Sequence, residues 1–433
     1  MSGLEDLRVN WSRLVGRLAT LGMIGPIPGD GSCRLALTDE DAAGRLMVTG
    51  WMRELGLDVV VDPLGNVVGT RAGRQPGLAP VLCGSHIDTV ATGGRFDGNL
   101  GVLAGLEVVE TLNDAAATTR RPLAVALFTN EEGARFAPDM LGSLVFVGGM
   151  TVEAARAAVG IDGATVGGEL DRIGWAGTAP NPFPAPAAYI ELHIEQGPVL
   201  EHEGTEIGAV TGVQAISWTE VTISGQSNHA GTTPMALRHD AAVAAAEVAV
   251  FVRRLAQDLG GQQVGTVGAL TLRPNLVNVV ANTATLTVDL RNTDEIVLEE
   301  AERRLGAFLA ALEEREGVRT RCRTLARFEP VDFDPGVVAL VEGTARRLGH
   351  SVRRLPSGAG HDAQMLARVC PAGMVFVPSV GGISHNPAEL THDADLERGA
   401  NVLLQALVAL TEHDLAPAGT TAAAAPAAAP ASG

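Results

Sequence analysis

The residues of this chain that could do chemistry gather in four short segments, each following an apolar run of strand length. The densest is GSHIDTVATGGRFDGNLG, residues 84–101. His86 ends the run, Asp88 follows it, and Asp97 comes after a glycine-rich loop. His86 and Asp97 are candidate ligands of one cation, and Asp88 a candidate to orient the His86 ring by accepting its other N–H. PLAVALFTNEEGARF then sets Glu131 and Glu132 side by side. Two adjacent anions repel, which calls for a positive partner. They suggest a division of labour in which one ligates metal and the other moves a proton from the attacking water. AAYIELHIEQG carries Glu191, His193 and Glu195 at alternate positions, so that on one strand all three face the same side. PSVGGISHNPAE delivers His385 after another apolar strand and glycine-rich loop.

Together these sites offer one Asp, one Glu and three His, with no thiolate. That set suits Zn2+, Mn2+ or a similar divalent ion better than an iron–sulfur cluster, and exceeds what one catalytic zinc takes. It serves two ions if one carboxylate bridges. Asp97 is the candidate bridge, with His86 and Glu132, or the two remaining histidines, completing the sites.

Elements that could position these residues are visible in the pattern. Thr38, followed by Asp39, Glu40 and Asp41, predicts an N-capped helix running to Leu55 and stopped by Gly56. LDVVVDPLGNVVGTR reads as two short strands around a turn at Pro63 to Asn66. PVLCGSHID, PLAVALFT and AAYIELHI read as strands with helical patterns between them, notably Gly101 to Leu112. This is the signature of an α/β domain with a mostly parallel central sheet, whose functional residues lie beyond the carboxyl ends of strands. From Ile216 the rhythm becomes strand, helix, strand, strand, helix, strand, a smaller α+β unit of the split βαβ (ferredoxin-like) kind. After Phe333 the chain returns to helix, the buried strand GMVFVPSV, and a last helix from Asp393 to Leu410. The expected organisation is a discontinuous catalytic domain, 1–214 with 330–415, and an inserted dimerisation domain, 215–329. TAPNPFPAPAA, from Thr178, is expected to be an extended loop. The tail 416–433, with Ala and Pro dominating and little apolar bulk to bury, is expected to be disordered.

Composition narrows the chemistry. The chain has 433 residues, 46% of them hydrophobic, enough for a large core. Fifty acidic against 32 basic residues leave a net charge of −18, the wrong sign for a nucleic-acid footprint or a polybasic membrane surface. Every basic residue is Arg, which excludes Schiff-base, Walker A and Ser-x-x-Lys chemistry. Cys33, Cys83, Cys322 and Cys370 are too scattered for a thiolate metal site or a disulfide framework. MSGLEDLRVNW carries charges where a signal peptide needs an apolar core, so a cytoplasmic protein with no membrane span is expected.

The segments GSHIDTVATGGRFDG, FTNEEGARF, ELHIEQGPVLE, GQSNHAGTTPM, PSGAGHDAQ and GGISHNPAE resemble, in order, those of the zinc-dependent amidases of hydantoinase and carbamoylase type, among the dinuclear aminoacylase and carboxypeptidase-like exopeptidases. The resemblance runs from Leu35 to Leu410. It implies two divalent ions per subunit, Zn2+ first, with Mn2+, Co2+ or Ni2+ as alternatives. Asp97 would bridge them, His86 and His193 would complete one site, and Glu132 and His385 the other. Glu131 would be the general base and Asp88 a support behind the ligands. His229, in the inserted domain of a homodimer, would reach the partner's active site to stabilise the oxyanion. Gln196, Asn278 and Arg291 would hold the substrate's carboxylate and adjacent polar groups, Arg291 by a two-pronged match. His361 and Asp362 fall on a family motif without an evident ligand vacancy and stand as second-layer or substrate-contact candidates.

The implied activity is hydrolysis of an N-carbamoyl amino acid to the amino acid, ammonia and carbon dioxide. Allantoate hydrolysis is the close alternative, and dipeptidase or aminoacylase action the more distant one. The partner implied is thus a small ureido acid. Two departures from the family pattern stand out: Ala281 and Asn282 after VNVV, and the opening LGMIGPIPGDGSCR. Both bear on substrate fit and turn geometry, not on the metal ligands.

Overall fold

A computed structural model of the chain describes residues 3–413; the tail expected to be disordered lies outside them. The chain divides into two compact units, one joining the chain up to Thr211 with that from Phe333, the other comprising Gly212–Asp332.

The first unit is built on a mixed sheet with four parallel strands at its centre. In spatial order these are Leu123–Phe128, Val81–His86, Ala188–Ile194 and Ala372–Val377. All four are buried along their whole length, which is why they read as unbroken apolar runs: both faces are covered. The helices Asn99–Asp114 and Asp393–Glu412 pack on the sheet and on each other. The margins are antiparallel. Asp58–Val61 and Val67–Arg71 form a hairpin beside Leu123–Phe128, and Ile207–Val213 runs antiparallel to Ala372–Val377. A link as short as 62–66 leaves no room for a crossover helix, so the hairpin edge cannot be parallel.

Local signals set the helix ends. The helix Asp39–Glu54 is capped by Thr38, whose hydroxyl accepts from Asp41 N at 3.3 Å, and three acidic residues in its first turn favour the positive end of its dipole. Gly84 has φ 151° and lies against the neighbouring strand, where a Cβ would come 2.1 Å from Ala126 O, so glycine is needed in the middle of the His86 strand.

The second unit is a four-stranded antiparallel sheet in the order Val264–Arg273, Thr283–Asn292, Ala215–Ser224, Arg319–Phe328. The helices Ala241–Leu259 and Glu295–Glu316 cover one face. Thr283–Asn292 alternates strictly, Ala284, Leu286, Val288 and Leu290 inward and threonines outward, as a half-covered sheet requires. Each such leucine removes apolar surface worth about 1.5–3 kcal/mol. No helix among the described residues is long and apolar enough to cross a membrane.

Candidate active site

The four central strands share one direction, so their carboxyl ends line up along one edge of the sheet. His86 is the last residue of its strand, and Glu131 and Glu132 follow Phe128 by three and four positions. His193 sits one residue before its strand ends, and His385 follows Val377 on a loop. Neighbouring parallel strands thus bring together residues far apart in the chain.

Each presentation has a local cause. After Phe128, Asn130 adopts the left-handed conformation (φ 58°), with its side-chain amide donating to Phe136 O at 2.8 Å, and this turns Glu131 and Glu132 back over the sheet. The backbone N–H groups of Glu131 and Glu132 donate to the two oxygens of Asp88, each at 3.3 Å. Gly98 (φ 64°) leaves space for the His86 ring, since a Cβ there would fall 2.4 Å from it.

Asp97 is the centre of the arrangement. Its Oδ1 lies 3.1 Å from His193 Nε2 and 3.8 Å from His86 Nε2, and its Oδ2 lies 3.4 Å from His385 Nε2. Glu131 Oε2 is 3.3 Å from His86 Nε2, and Glu132 Oε2 is 3.3 Å from His385 Nε2. The adjacent glutamates therefore part company, one to each side of Asp97. Donor atoms of His86, Asp97 and His193 lie within 4.8 Å of one another, as do those of Asp97, Glu132 and His385.

These residues fit a pair of cations. His86 Nδ1 is 2.9 Å from Asp88 O, and His193 Nδ1 is 2.9 Å from Ile194 O. Each ring has its Nδ1 against a backbone carbonyl, which turns Nε2 toward Asp97, the orientation a metal ligand needs. The electrostatics agree. Burial opposes a charge on the His86 imidazole, yet Asp88, Glu132 and Asp97 together hold it up at about 9. Burial, reinforced by Asp362, Glu132 and Asp97, pushes the Glu131 carboxyl well above the usual range. Burial alone would raise Asp97, but its hydrogen bonds with His193 and His385 outweigh it and hold it well below. A buried pocket this rich in anions favours positive charge between them.

The structure corrects two details of the sequence reading and adds a third. Glu195 does not join Glu191 and His193 on one face. The strand ends at Ile194, and the Glu195 carboxylate instead accepts from Val199 N and Leu200 N, both at 2.8 Å. The Asp88 side chain is not what holds the His86 ring: its nearest oxygen is 4.0 Å from Nδ1, while the Asp88 carbonyl makes the bond. Glu191 faces the site's underside, where Ser85 Oγ donates to it at 2.6 Å and Ala363 N at 3.0 Å, with Tyr189 Oη 3.2 Å away. Those partners leave it a support, although it clusters with His193 and His361.

His361 is buried edge-on to the His193 ring, 4.5 Å between centroids, with its Nε2 2.8 Å from Ser357 Oγ. Burial, then His193, keeps it neutral, and burial, then Glu191, pushes Asp362 well above the usual range. Gln196 donates from Nε2 to Asp97 Oδ2 at 2.9 Å, so it touches the shared carboxylate. Sequence reasoning missed Glu389, which accepts from Phe96 N at 3.0 Å and Asp97 N at 3.2 Å; an acidic residue in a loop carries no signal of such a role.

The remaining expected residues lie in the second unit. His229 is exposed, and its Nδ1 accepts from Gly231 N at 3.1 Å and Thr232 N at 3.2 Å. In the neutral ring the hydrogen is then on Nε2, leaving that atom as a donor. Arg291 grips Asp289 through Nε and Nη2, at 3.0 and 2.9 Å, beside Trp218. Asn278 is exposed.

A model of the family described as Peptidase family M20/M25/M40 matches residues 82–409. An N-carbamoyl-L-amino-acid amidohydrolase of Rhizobium meliloti is 43% identical over 408 residues, 94% of this chain and 98% of the relative. An allantoate amidohydrolase of Bacillus subtilis is 33% identical over 90% of this chain and 95% of its own length. The crystal structure of an amidase of the hydantoinase/carbamoylase family from Burkholderia multivorans superimposes with a TM-score of 0.92 at 45% identity, covering 95% of this chain and all (100%) of the other.

Proposed function

We propose, from the premise that the chain belongs to peptidase family M20/M25/M40 and within it to the amidases of hydantoinase/carbamoylase type, that it hydrolyses the ureido carbon–nitrogen bond of an N-carbamoyl amino acid. The products are the amino acid, ammonia and carbon dioxide. The observation that carries this reading is the sharing of Asp97 between two donor groups, with one of two adjacent glutamates on each side.

His86 and His193 would hold one divalent ion, Glu132 and His385 the other, and Asp97 both. Zn2+, or Mn2+, Co2+ or Ni2+ in its place, would polarise the substrate carbonyl and acidify water there. Glu131, unneeded as a ligand and set beside the His86 edge, takes the proton of the attacking water and returns it to the departing nitrogen. Asp88 holds the Glu131 and Glu132 backbone in place for this. The burial of Glu131 and the His86 half keeps bulk water from competing for the proton.

The inserted unit supplies the substrate's other contacts. His229, with its hydrogen on Nε2, donates to the carbonyl oxygen as negative charge grows there, acting on the partner subunit's site in a homodimer. Arg291, held at a fixed angle by Asp289, takes the substrate carboxylate, with Asn278 and Gln196 on the neighbouring polar groups.

Ammonia release by purified protein with Zn2+ or Mn2+ tests the reading across N-carbamoyl amino acids and allantoate. Turnover of the former with allantoate inert is expected. The similarity to an allantoate amidohydrolase gives the second reading its footing, since both substrates set a carboxylate beside a ureido group. Turnover of allantoate alone would select it. Release from neither would overturn both.

A further inference from the structure

Glu389 is 6% exposed, and the chemistry above leaves it without a role. Its Oε1 accepts from the backbone N–H groups of Phe96 and Asp97, at 3.0 and 3.2 Å, and its Oε2 accepts from Ser384 Oγ at 2.9 Å. Ser384 directly precedes His385, and Phe96 and Asp97 lie on the loop that carries the shared carboxylate. One side chain therefore ties together two loops 287 positions apart at Asp97 and Ser384, both of which supply ligands. The fit is close. A Cβ at residue 94 would lie 2.1 Å from Glu389 Oε1, so Gly94 lets the backbone pass over the carboxylate.

His385 needs such a tie more than its counterparts do. Its side chain is 51% exposed against 1% for His86 and for His193, and it stands on a loop in the left-handed conformation (φ 53°). Other ties between the loops are longer or more exposed, with Thr92 Oγ1 donating to His385 O at 3.2 Å and Ser384 Oγ lying 3.3 Å from Asp97 Oδ2.

We propose that Glu389 is a positioning residue that clasps the Asp97 loop to the His385 loop and thereby sets the His385 ring against the shared carboxylate. The inference rests on the two-ion reading of the site. Three hydrogen bonds converge on one buried carboxyl group, and removing it frees the His385 loop while leaving every ligand in the chain.

Zn2+ affinity of the full-length protein, measured by competition with a chromophoric chelator, tests the clasp. Glu389→Ala is expected to weaken the more loosely held ion about 10- to 100-fold. Glu389→Gln keeps an oxygen that can accept from both Phe96 and Asp97 and is expected to stay close to the unaltered protein. In the Glu389→Ala/His385→Ala pair, binding is expected to be no weaker than in His385→Ala alone, because the clasp acts through His385. Unchanged affinity in Glu389→Ala, or additive losses in the pair, would overturn the clasp. If Glu389→Ala does not fold, judged by its thermal transition, Ser384→Ala carries the test: it cuts one arm, a several-fold loss is expected, and no loss overturns the proposal. An unaltered protein that binds no Zn2+ would instead sink the two-ion reading beneath it.

Discussion

The two sides of Asp97 are built differently. On one side, His86 and His193 are 1% exposed, lie on adjacent parallel strands at or one residue before their ends, and have their outer nitrogens fixed by backbone carbonyls. On the other, His385 is 51% exposed and reaches Asp97 and Glu132 from a loop. A strand-borne ligand inherits the precision of the sheet, whereas a loop-borne one must be held by side chains brought from elsewhere. The centre thus combines a fixed half, where Glu131 lies, with a half whose geometry depends on a few hydrogen bonds.

The largest effect expected from this contrast is on Glu131. Glu131→Gln keeps shape and hydrogen-bonding capacity but cannot take a proton, so turnover should fall about 10^2- to 10^4-fold while bound Zn2+ per chain stays unchanged. Steady-state ammonia release with elemental analysis of the same sample checks both halves of the statement. Ion loss in step with activity would make Glu131 a ligand and erase the division between the two glutamates.

The contrast in burial predicts a second difference. His193→Ala opens a cavity in the sheet's covered edge and strands Ile194 O, and should cost the ion-free protein about 3 kcal/mol. His385→Ala removes a half-exposed ring without opening a cavity but takes a partner from Asp97 and Glu132, and should cost the ion-free protein about 1 kcal/mol. Urea unfolding in the presence of a chelator measures both. Equal losses would mean that His385 is as embedded as its counterparts, and the comparison would fail.

Asp88 stands behind both halves, accepting from Glu131 N with one oxygen and Glu132 N with the other. An Asn there can accept on one side only. Asp88→Asn should therefore lower turnover and weaken ion binding together, each by about 10-fold. A loss of turnover with unchanged ion affinity would show that Asp88 serves only the Glu131 side.

How much of this could be read from residues alone follows the same division. The strand-borne half was legible: unbroken apolar runs announce strands covered on both faces, and a His or a Glu pair at the end of such a run stands out against its surroundings. Alternation placed Glu191 and His193 correctly relative to each other, yet failed one step later at Glu195, because it assumes that the strand continues. The loop-borne half was legible only as a histidine in a motif. What holds it, Glu389 against the backbone at Phe96 and Asp97, depends on main-chain N–H groups, which every residue but proline carries. The same holds for the carbonyl that fixes His86. The inserted unit was readable for a different reason, since its strict inward and outward alternation on Thr283–Asn292 records a sheet with one covered face.

The smallest expected effect probes the weakest tie of the loop-borne half. Thr92 Oγ1 donates to His385 O at 3.2 Å in an exposed setting, where water can replace the lost partner. Thr92→Ala should therefore cost about 0.5 kcal/mol or less in stability and change Zn2+ affinity by about 2-fold or less. If chelator competition shows a loss as large as that of Glu389→Ala, the exposed hydrogen bond, and not the buried carboxylate, would be what seats His385. The loop-borne half would then be held from its outer surface, where solvent and substrate both have access, and ion affinity should become sensitive to bound substrate. With a small effect the seat lies inside, at the Glu389 carboxylate, and the outer face of His385 is left to meet the substrate without disturbing the ion.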